Sequence, residues 1–334
     1  FNKKYKFKFG VAVGSGTDAL YISMLALGIG KGDEIITVSN TAIPTISAII
    51  STGATPVFVD VSKDYLIDTK KITAAITKKT KGIIPVHLYG QACNMNKIIQ
   101  IARKNKLKVI EDCAQAQGAK FKNKYVGTFG ISGCFSFYPT KILGGYGDGG
   151  YIGTNNKDFY QKVRAIRFYG IDQINKKNKF INKYYSNIHG INSRIDEIQC
   201  SILNLKLPKV DSYIKKRNYL AKIYRRELKN TNLYLPPVNN NCKHVYHLFV
   251  VYHKNRNLIF KEFKKYKIKL NINYPFPVHN MKGYKKFTKK NVNLMNTNKL
   301  SKGIFSLPMY PTLQVKELLV FTRILIKILN KLKI

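Results

Sequence analysis

Ser136-Phe137-Tyr138-Pro139-Thr140-Lys141-Ile142-Leu143-Gly144-Gly145 is the stretch on which the reading of this chain turns. Lysine is common throughout the sequence, yet between Tyr125 and Gly147 the only charged residue is Lys141. Phe135, Phe137, Tyr138, Ile142 and Leu143 surround it, and glycines stand at 144, 145 and 147. A lone ammonium in such a setting loses hydration, which favours the neutral amine. A neutral lysine amine is a nucleophile toward aldehydes. The same residues also suit a lysine that snorkels from a buried hairpin, and the flanking chain has to decide between the two.

Upstream, Val11-Ala12-Val13-Gly14-Ser15-Gly16-Thr17-Asp18-Ala19-Leu20 reads as a short strand, a glycine turn and a helix start. Backbone amides at such a helix start, with the Thr17 hydroxyl, form a seat for phosphate. On its own the pattern is equally common turn chemistry. Apolar strands are predicted over 33–38, 55–61, 82–90 and 106–112, with helices over 42–52 (interrupted at Pro44) and 96–105 between them. Such alternation implies an α/β fold with a mostly parallel sheet and ligands at the strand C-terminal ends. Asp112 falls at one of those ends, before the small residues Cys113 and Ala114. It is either a solvated helix cap or the partner of a buried cation. From Asp112 to Lys141 is a step of 29 residues (141 minus 112), enough for one hairpin to return the chain to the same crevice.

The totals narrow the function classes. A chain of 334 residues can bury a large core, and two domains are expected, 1–208 and 209–334, divided at Pro208. Against 58 Lys+Arg stand 17 Asp+Glu, giving a net charge of +41. The basic residues are spread along most of the length, and no helix-turn-helix, finger or stacking-platform pattern accompanies them. Nucleic acid is therefore not expected as the primary partner, although the charge favours anionic ligands. Five cysteines stand singly without a C-x-x-C pair, which predicts reduced thiols in a cytoplasmic protein and no metal site. No apolar run is long enough to span a bilayer. The start, Phe1-Asn2-Lys3-Lys4, has neither a signal-peptide core nor an initiator Met, so an N-terminal segment is expected to precede it.

Downstream, Tyr151-Ile152-Gly153-Thr154 leads to a basic helix predicted over 159–168 and a mobile polar loop over 171–185. Residues 187–194 lead into a helix carrying Ile195, Ile198, Ile202, Leu203 and Leu205 at helical spacing. Helices over 211–229 and 258–266, a strand over 245–251 and a proline-fixed loop over 274–279 follow. An amphipathic C-terminal helix over 315–332 is expected to pack on its own domain. These elements make the second, smaller domain α+β.

Together these pieces describe a pyridoxal phosphate site. That cofactor needs a lysine for its aldehyde, an acid for its ring nitrogen, and a phosphate seat of amides and hydroxyls. Lys141, Asp112 and Gly14-Ser15-Gly16-Thr17 meet the three needs within one α/β domain.

At this point the chain resembles the DegT/DnrJ/EryC1/StrS sugar aminotransferases, which are fold type I pyridoxal phosphate enzymes. The resemblance runs over essentially the whole length. It is carried by Val13–Leu20, Val86-His87-Leu88-Tyr89-Gly90, Glu111-Asp112-Cys113-Ala114-Gln115-Ala116, Ser136–Lys141 and Gly147-Asp148-Gly149-Gly150. Asn192-Ser193-Arg194-Ile195-Asp196-Glu197-Ile198-Gln199, Tyr274-Pro275-Phe276-Pro277-Val278-His279 and Ser306-Leu307-Pro308-Met309-Tyr310-Pro311 extend it. The resemblance implies that Lys141 is the Schiff-base lysine and Asp112 the ring-nitrogen partner. It places Gln115 beside the ring hydroxyl and makes Gly16, Thr17 and Ser136 phosphate contacts. Asn192 matches a residue that reaches the phosphate of the other subunit, implying a homodimer with shared active sites. His279 falls in a loop near the sugar-nucleotide, and Tyr284 joins it as a substrate-binding candidate.

Three departures are visible. Ala42 stands where many members carry an aromatic residue that stacks on the cofactor ring. The family's segment before the phosphate seat has no counterpart ahead of Phe1. Relatives that are dehydratases carry histidine in place of the lysine, and Lys141 argues against that branch. The resemblance thus implies transfer of an amino group, with L-glutamate as donor, to a nucleotide-linked keto-deoxysugar. Ser39-Asn40-Thr41-Ala42-Ile43-Pro44-Thr45 looks most like members that aminate C3 of dTDP-linked 3-keto-6-deoxyhexoses. The alternatives are a pyridoxal phosphate dehydratase or regulatory relative, and a basic nucleic-acid-binding protein.

Overall fold

The computed structural model describes residues 1–171, 185–288 and 293–332. The loop expected over 171–185 lies almost wholly outside the described residues. Seven strands form the central sheet: β1 (Phe9–Val13), β2 (Glu34–Val38), β3 (Thr55–Val59), β4 (Thr80–Ile83), β5 (Lys108–Asp112), β6 (Ser132–Ser136) and β7 (Gly150–Thr154). Their order across the sheet is β1-β7-β6-β5-β4-β2-β3. Only β7 runs against its neighbours, pairing antiparallel with β1 and β6. The sheet is thus mostly parallel, and the expected α/β fold is what the chain adopts.

Neighbouring residues along each strand point to opposite faces, and the two faces have different cores. Ile36, Val57, Val59, Ile83 and Val109 belong to one cluster, while Ile35, Phe58, Ile84 and Ile110 belong to the other. Helices α1 (Gly16–Ala26), α2 (Ile43–Ser51) and α4 (Lys157–Ile166) cover the second face, and α3 (Met95–Lys104) covers the first. A sheet buried on both sides explains why its strands read as unbroken apolar runs.

Two further helices, α5 (Glu197–Lys206) and α6 (Val210–Leu228), lead away from the sheet. Val210 and Ile214 of α6 pack into the sheet core, whereas Leu220, Ile223, Tyr224 and Leu228 enter a third cluster. That cluster also takes in α7 (Arg256–Lys265), the strand pair β8 (Phe249–Tyr252) and β9 (Ile304–Leu307), and α9 (Val315–Lys331); α8 (Met295–Gly303) precedes β9. One face of α9 is buried through Leu318, Phe321, Leu325, Ile328 and Leu329.

Several elements differ from expectation, each for a local reason. Pro44 does not interrupt α2. It occupies the first turn, where its missing N–H has no helical acceptor to lose. The strand expected over 82–90 ends at Ile83. Beyond Pro85 the chain makes one bridge to Asp112 and turns into a short 3-10 segment, with Tyr89 at φ 58°. The strand expected from 245 begins at Phe249, because Arg217 Nη1 donates to the carbonyls of Tyr246 and His247 and holds them in a loop. Ile198 and Leu205, expected on an apolar helix face, are 72% and 76% exposed. Among the described residues no helix is long and apolar enough to cross a membrane.

Candidate functional site

A cavity of about 240 Å³ opens at the C-terminal ends of β2, β5 and β6, where a parallel sheet places ligands. Ser15, Gly16 and Thr17, Thr41, Ala42 and Thr45, Asp112 and Gln115, and Ser136 and Lys141 all line it. The sequence-predicted residues Gly16, Thr17, Ala42, Asp112, Gln115, Ser136 and Lys141 therefore meet in one place. Asn192 is exposed and lies outside its wall, as do His279 and Tyr284.

Asp112 ends β5 and is 5% exposed. Thr45 Oγ1 donates to its Oδ2 at 2.8 Å, and the Ala114 amide donates to its Oδ1 at 3.1 Å. Burial pushes the carboxyl above its ordinary pKa, while the Ala114 amide, the Thr45 hydroxyl, Lys141 and His87 pull it back. Both donors prefer the carboxylate, so the acid is held ready to face a cation. Lys141 responds in the opposite sense. Burial lowers its pKa, and the Asp112 charge offsets part of that. The weakened basicity expected from the bare sequence stretch thus has a physical cause in the fold.

The segment carrying Lys141 is fixed from below. Gln117 is fully buried; its Nε2 donates to the Ser136 carbonyl at 2.7 Å and the Leu143 carbonyl at 3.1 Å. Its Oε1 accepts from the Leu143 amide at 3.2 Å, so one side chain ties both ends of the loop. From above, Gln199 Oε1 accepts from the Tyr146 amide at 2.8 Å and Lys206 Nζ donates to the Gly144 carbonyl at 2.5 Å. A Cβ on Gly145 would stand 2.7 Å from Gln199 Oε1, which accounts for glycine there.

Opposite Lys141 is the N-terminus of α1. Ser15 caps it, accepting from the Asp18 amide at 3.0 Å. The amides of Gly16 and Thr17 then lack an intrahelical acceptor and carry the positive end of the helix dipole. A Cβ on Gly16 would approach the Ser136 Cβ to 2.8 Å, so the two segments meet closely at this seat. The Ser193 hydroxyl braces the turn, accepting from the Gly14 amide at 2.9 Å and donating to Asp18 at 2.7 Å.

These residues suit pyridoxal phosphate. An anion seat lies at one end, a buried carboxylate held by two donors at the floor, and a lysine of lowered pKa in the wall. Ala42 presents only a methyl group where an aromatic ring is common, and the half-exposed Tyr138 lines the same cavity. Gln115 is engaged within the protein, accepting from the Tyr89 amide and donating to the Tyr274 hydroxyl, each at 2.8 Å.

His279 is nearly buried and bound to Ser39. The Ser39 hydroxyl accepts from the His279 amide at 3.0 Å and meets its Nδ1 at 2.7 Å. Burial lowers its pKa. Sequence reasoning missed Thr41, Thr45, Gln117 and Glu111. The four-residue spacing of Thr41 and Thr45 at the head of α2 was a usable signal; Gln117 offered none. Glu111 accepts from the amides of Gly127, Phe129 and Gly130 at 2.7–2.8 Å. His87 Nδ1 accepts from the Cys93 amide, so Nε2 carries the proton and donates to Glu111 at 3.1 Å. His87, Glu111 and Cys113 lie close enough to suggest a metal centre, but the first two already satisfy each other as scaffold.

A family profile described as the DegT/DnrJ/EryC1/StrS aminotransferase family matches residues 1–324. A Micromonospora megalomicea dTDP-3-amino-3,4,6-trideoxy-alpha-D-glucose transaminase is 43% identical over 309 residues, covering 91% of this chain and 80% of the relative. A UDP-N-acetyl-3-dehydro-alpha-D-glucosamine 3-aminotransferase of Acidithiobacillus ferrooxidans is 39% identical, with 92% and 81% covered. Among solved structures, NtdA of Bacillus subtilis with bound cofactor PMP superposes with a TM-score of 0.89 at 30% identity, covering 98% of this chain and 75% of that one.

Proposed function

The chain belongs to the DegT/DnrJ/EryC1/StrS aminotransferase family, and from that premise we propose that it is a pyridoxal phosphate-dependent transaminase of nucleotide-linked keto-sugars. The acceptor is a 3-keto sugar, with a dTDP-linked 6-deoxyhexose favoured, and the amino donor is L-glutamate. The observation that carries this reading is the convergence of Lys141 and Asp112 with the capped N-terminus of α1 on one cavity. The names of the relatives support amination at C3 and leave two nucleotides in play, dTDP and UDP.

When bound, the cofactor supplies an aldehyde for amines and an electron sink for the carbon next to nitrogen. The protein does the rest. Asp112, whose charged form the Thr45 and Ala114 donors favour, would hold a protonated ring nitrogen. The Gly16 and Thr17 amides, with the Thr17 and Ser136 hydroxyls, would hold the phosphate. Lys141 Nζ, less basic than a solvated lysine, is the group placed to join the aldehyde and to take and return protons inside the cavity. Gln117 and Gln199 keep it at a fixed height.

The N-terminal part to residue 208 acts as the cofactor domain and 209–334 as the smaller domain. A cytoplasmic homodimer fits the five free cysteines and the exposed Tyr146, Ile198 and Leu205 beside the Lys141 loop. In it Asn192 would reach the partner's phosphate, and His279 and Tyr284 would support the substrate loop. Incubating the holoenzyme with glutamate and a panel of dTDP- and UDP-keto-sugars, read by mass, tests the proposal. Replacement of the keto oxygen by an amine on a 3-keto sugar is expected. Loss of water without nitrogen gain, or turnover by Lys141→Ala equal to the parent, would overturn it.

A further inference from the structure

Gln115 lines the cavity of Lys141, and its neighbours settle which way its amide lies. The Tyr89 amide donates to it at 2.8 Å, and only the carbonyl end, Oε1, can accept that proton. Nε2 therefore lies on the other side, where one of its two N–H groups donates to the Tyr274 hydroxyl at 2.8 Å. The second N–H has no acceptor among the described residues and is the donor of this amide left for a ligand.

Tyr274 comes from a distant part of the chain, a strap over 271–279 that is pinned on both sides of it. The Ser306 amide of β9 donates to the Asn271 carbonyl at 2.9 Å, and the Ser306 hydroxyl to Asn273 Oδ1 at 2.8 Å. Tyr89 Oη donates to the Asn273 carbonyl. Past the ring, the Val278 amide donates to the carbonyl of Ser39, the residue after β2, at 3.1 Å. The titratable groups facing the phenol are Asp112 of β5 and Tyr89. Burial pushes the Tyr274 pKa up to about 12, against the Gln115 bond and with a smaller push from Asp112. At neutral pH it is an uncharged phenol. Tyr274 does not itself line the cavity; what it reaches there is Gln115.

We propose that Tyr274 is a positioning residue of the cofactor site, one that acts through Gln115. By taking one N–H it fixes the other for the ring hydroxyl oxygen of the cofactor. The strap thereby sets how readily that oxygen carries negative charge, because a donor on it favours the anionic form. This inference rests on the pyridoxal phosphate reading of the cavity.

A pH titration of the visible absorbance of the cofactor-loaded protein tests it, with the parent, Tyr274→Phe, Gln115→Leu and the double variant compared. Loss of a donor to the charged form moves proton release to higher pH, so Tyr274→Phe should shift the midpoint upward by about one pH unit. Gln115→Leu should shift it the same way. The double variant should go no further than the larger single shift, since the two side chains act as one unit. A residue needed for folding alone would lower the denaturant midpoint and leave the absorbance midpoint in place. If Tyr274→Phe does not fold, Tyr89→Phe, which frees the Asn273 carbonyl and keeps the Tyr274 phenol, should give a smaller upward shift. An unmoved midpoint in the strap variant that folds, or shifts that add in the double variant, would overturn the inference while cofactor uptake keeps the pyridoxal phosphate reading standing. A parent that takes up no cofactor and stays colourless would overturn that reading and this inference together.

Discussion

Thr45→Val removes one hydroxyl from the cavity while keeping the side chain's shape. In the parent that hydroxyl donates to Asp112 Oδ2 at 2.8 Å, and among the described residues the carboxylate's other donor is the Ala114 amide. A hydrogen bond to a charged group contributes about 1.5–3 kcal/mol. At about 1.4 kcal/mol per decade, that predicts a roughly 10- to 150-fold loss of pyridoxal phosphate affinity. The sign with pH follows from the carboxyl. Burial already raises its pKa, and removing a group that stabilises the charged form raises it further. Cofactor binding by the variant should therefore fall away at a higher pH than in the parent as acid is added. Titrating apoprotein with cofactor and following visible absorbance at several pH values measures both effects. Thr45→Ser, which restores the hydroxyl, should recover most of the affinity. A Thr45→Val affinity within twofold of the parent, or a Thr45→Ser as weak as Thr45→Val, would refute the role given to this hydrogen bond.

Asp60 takes the amides of Asn296 and Thr297 and the Thr297 hydroxyl at 2.8–3.0 Å, serving as a remote cap for α8, whose own N-cap Leu294 has no capping side chain. Asp60→Ala should cost about 3–5 kcal/mol by leaving those donors buried and unpaired, seen as a lower denaturant midpoint. Burial raises the Asp60 pKa, but the bonds from Thr297, Asn296 and Val61 outweigh it and hold the carboxyl below its ordinary range. The stabilisation should be complete above the unfolded value of about 3.9 and be lost as pH falls through the folded one; a parent-to-variant gap unchanged down to that acid range would contradict this. Gln199→Ala should cut turnover by about fivefold through about 1 kcal/mol of lost loop support, with cofactor affinity nearly unchanged; equal single-turnover rates would remove Gln199 from that role. Glu111→Gln places an amide donor against donors and should lower stability by about 3 kcal/mol, measured by the same denaturant curves.

The sheet was legible because both its faces are buried, so its strands appear as short apolar runs whatever surrounds them. Lys141 and Asp112 could be found because each breaks the local composition: a charge in an apolar glycine stretch, and an acid at a strand end in a chain poor in acids. Tertiary hydrogen bonds left no such trace. Gln117 ties the Lys141 loop through one amide group, and nothing in its neighbours' identities announces this. Segment ends were misjudged where the chain is stopped by a distant side chain, as Arg217 stops β8 short of residue 245. The contact of His279 Nδ1 with the Ser39 hydroxyl is another tertiary bond that its own stretch does not announce.

Glu111 and Asp112 are adjacent, yet one is stitched to the scaffold and the other faces the reactive cavity. Pleating is what separates them, because consecutive side chains leave a strand on opposite sides. Strand length before this pair is therefore a frozen quantity. Deleting or inserting a single residue within Lys108–Ile110 would exchange the two carboxylates, setting the anchor loose and sealing the working acid into the floor.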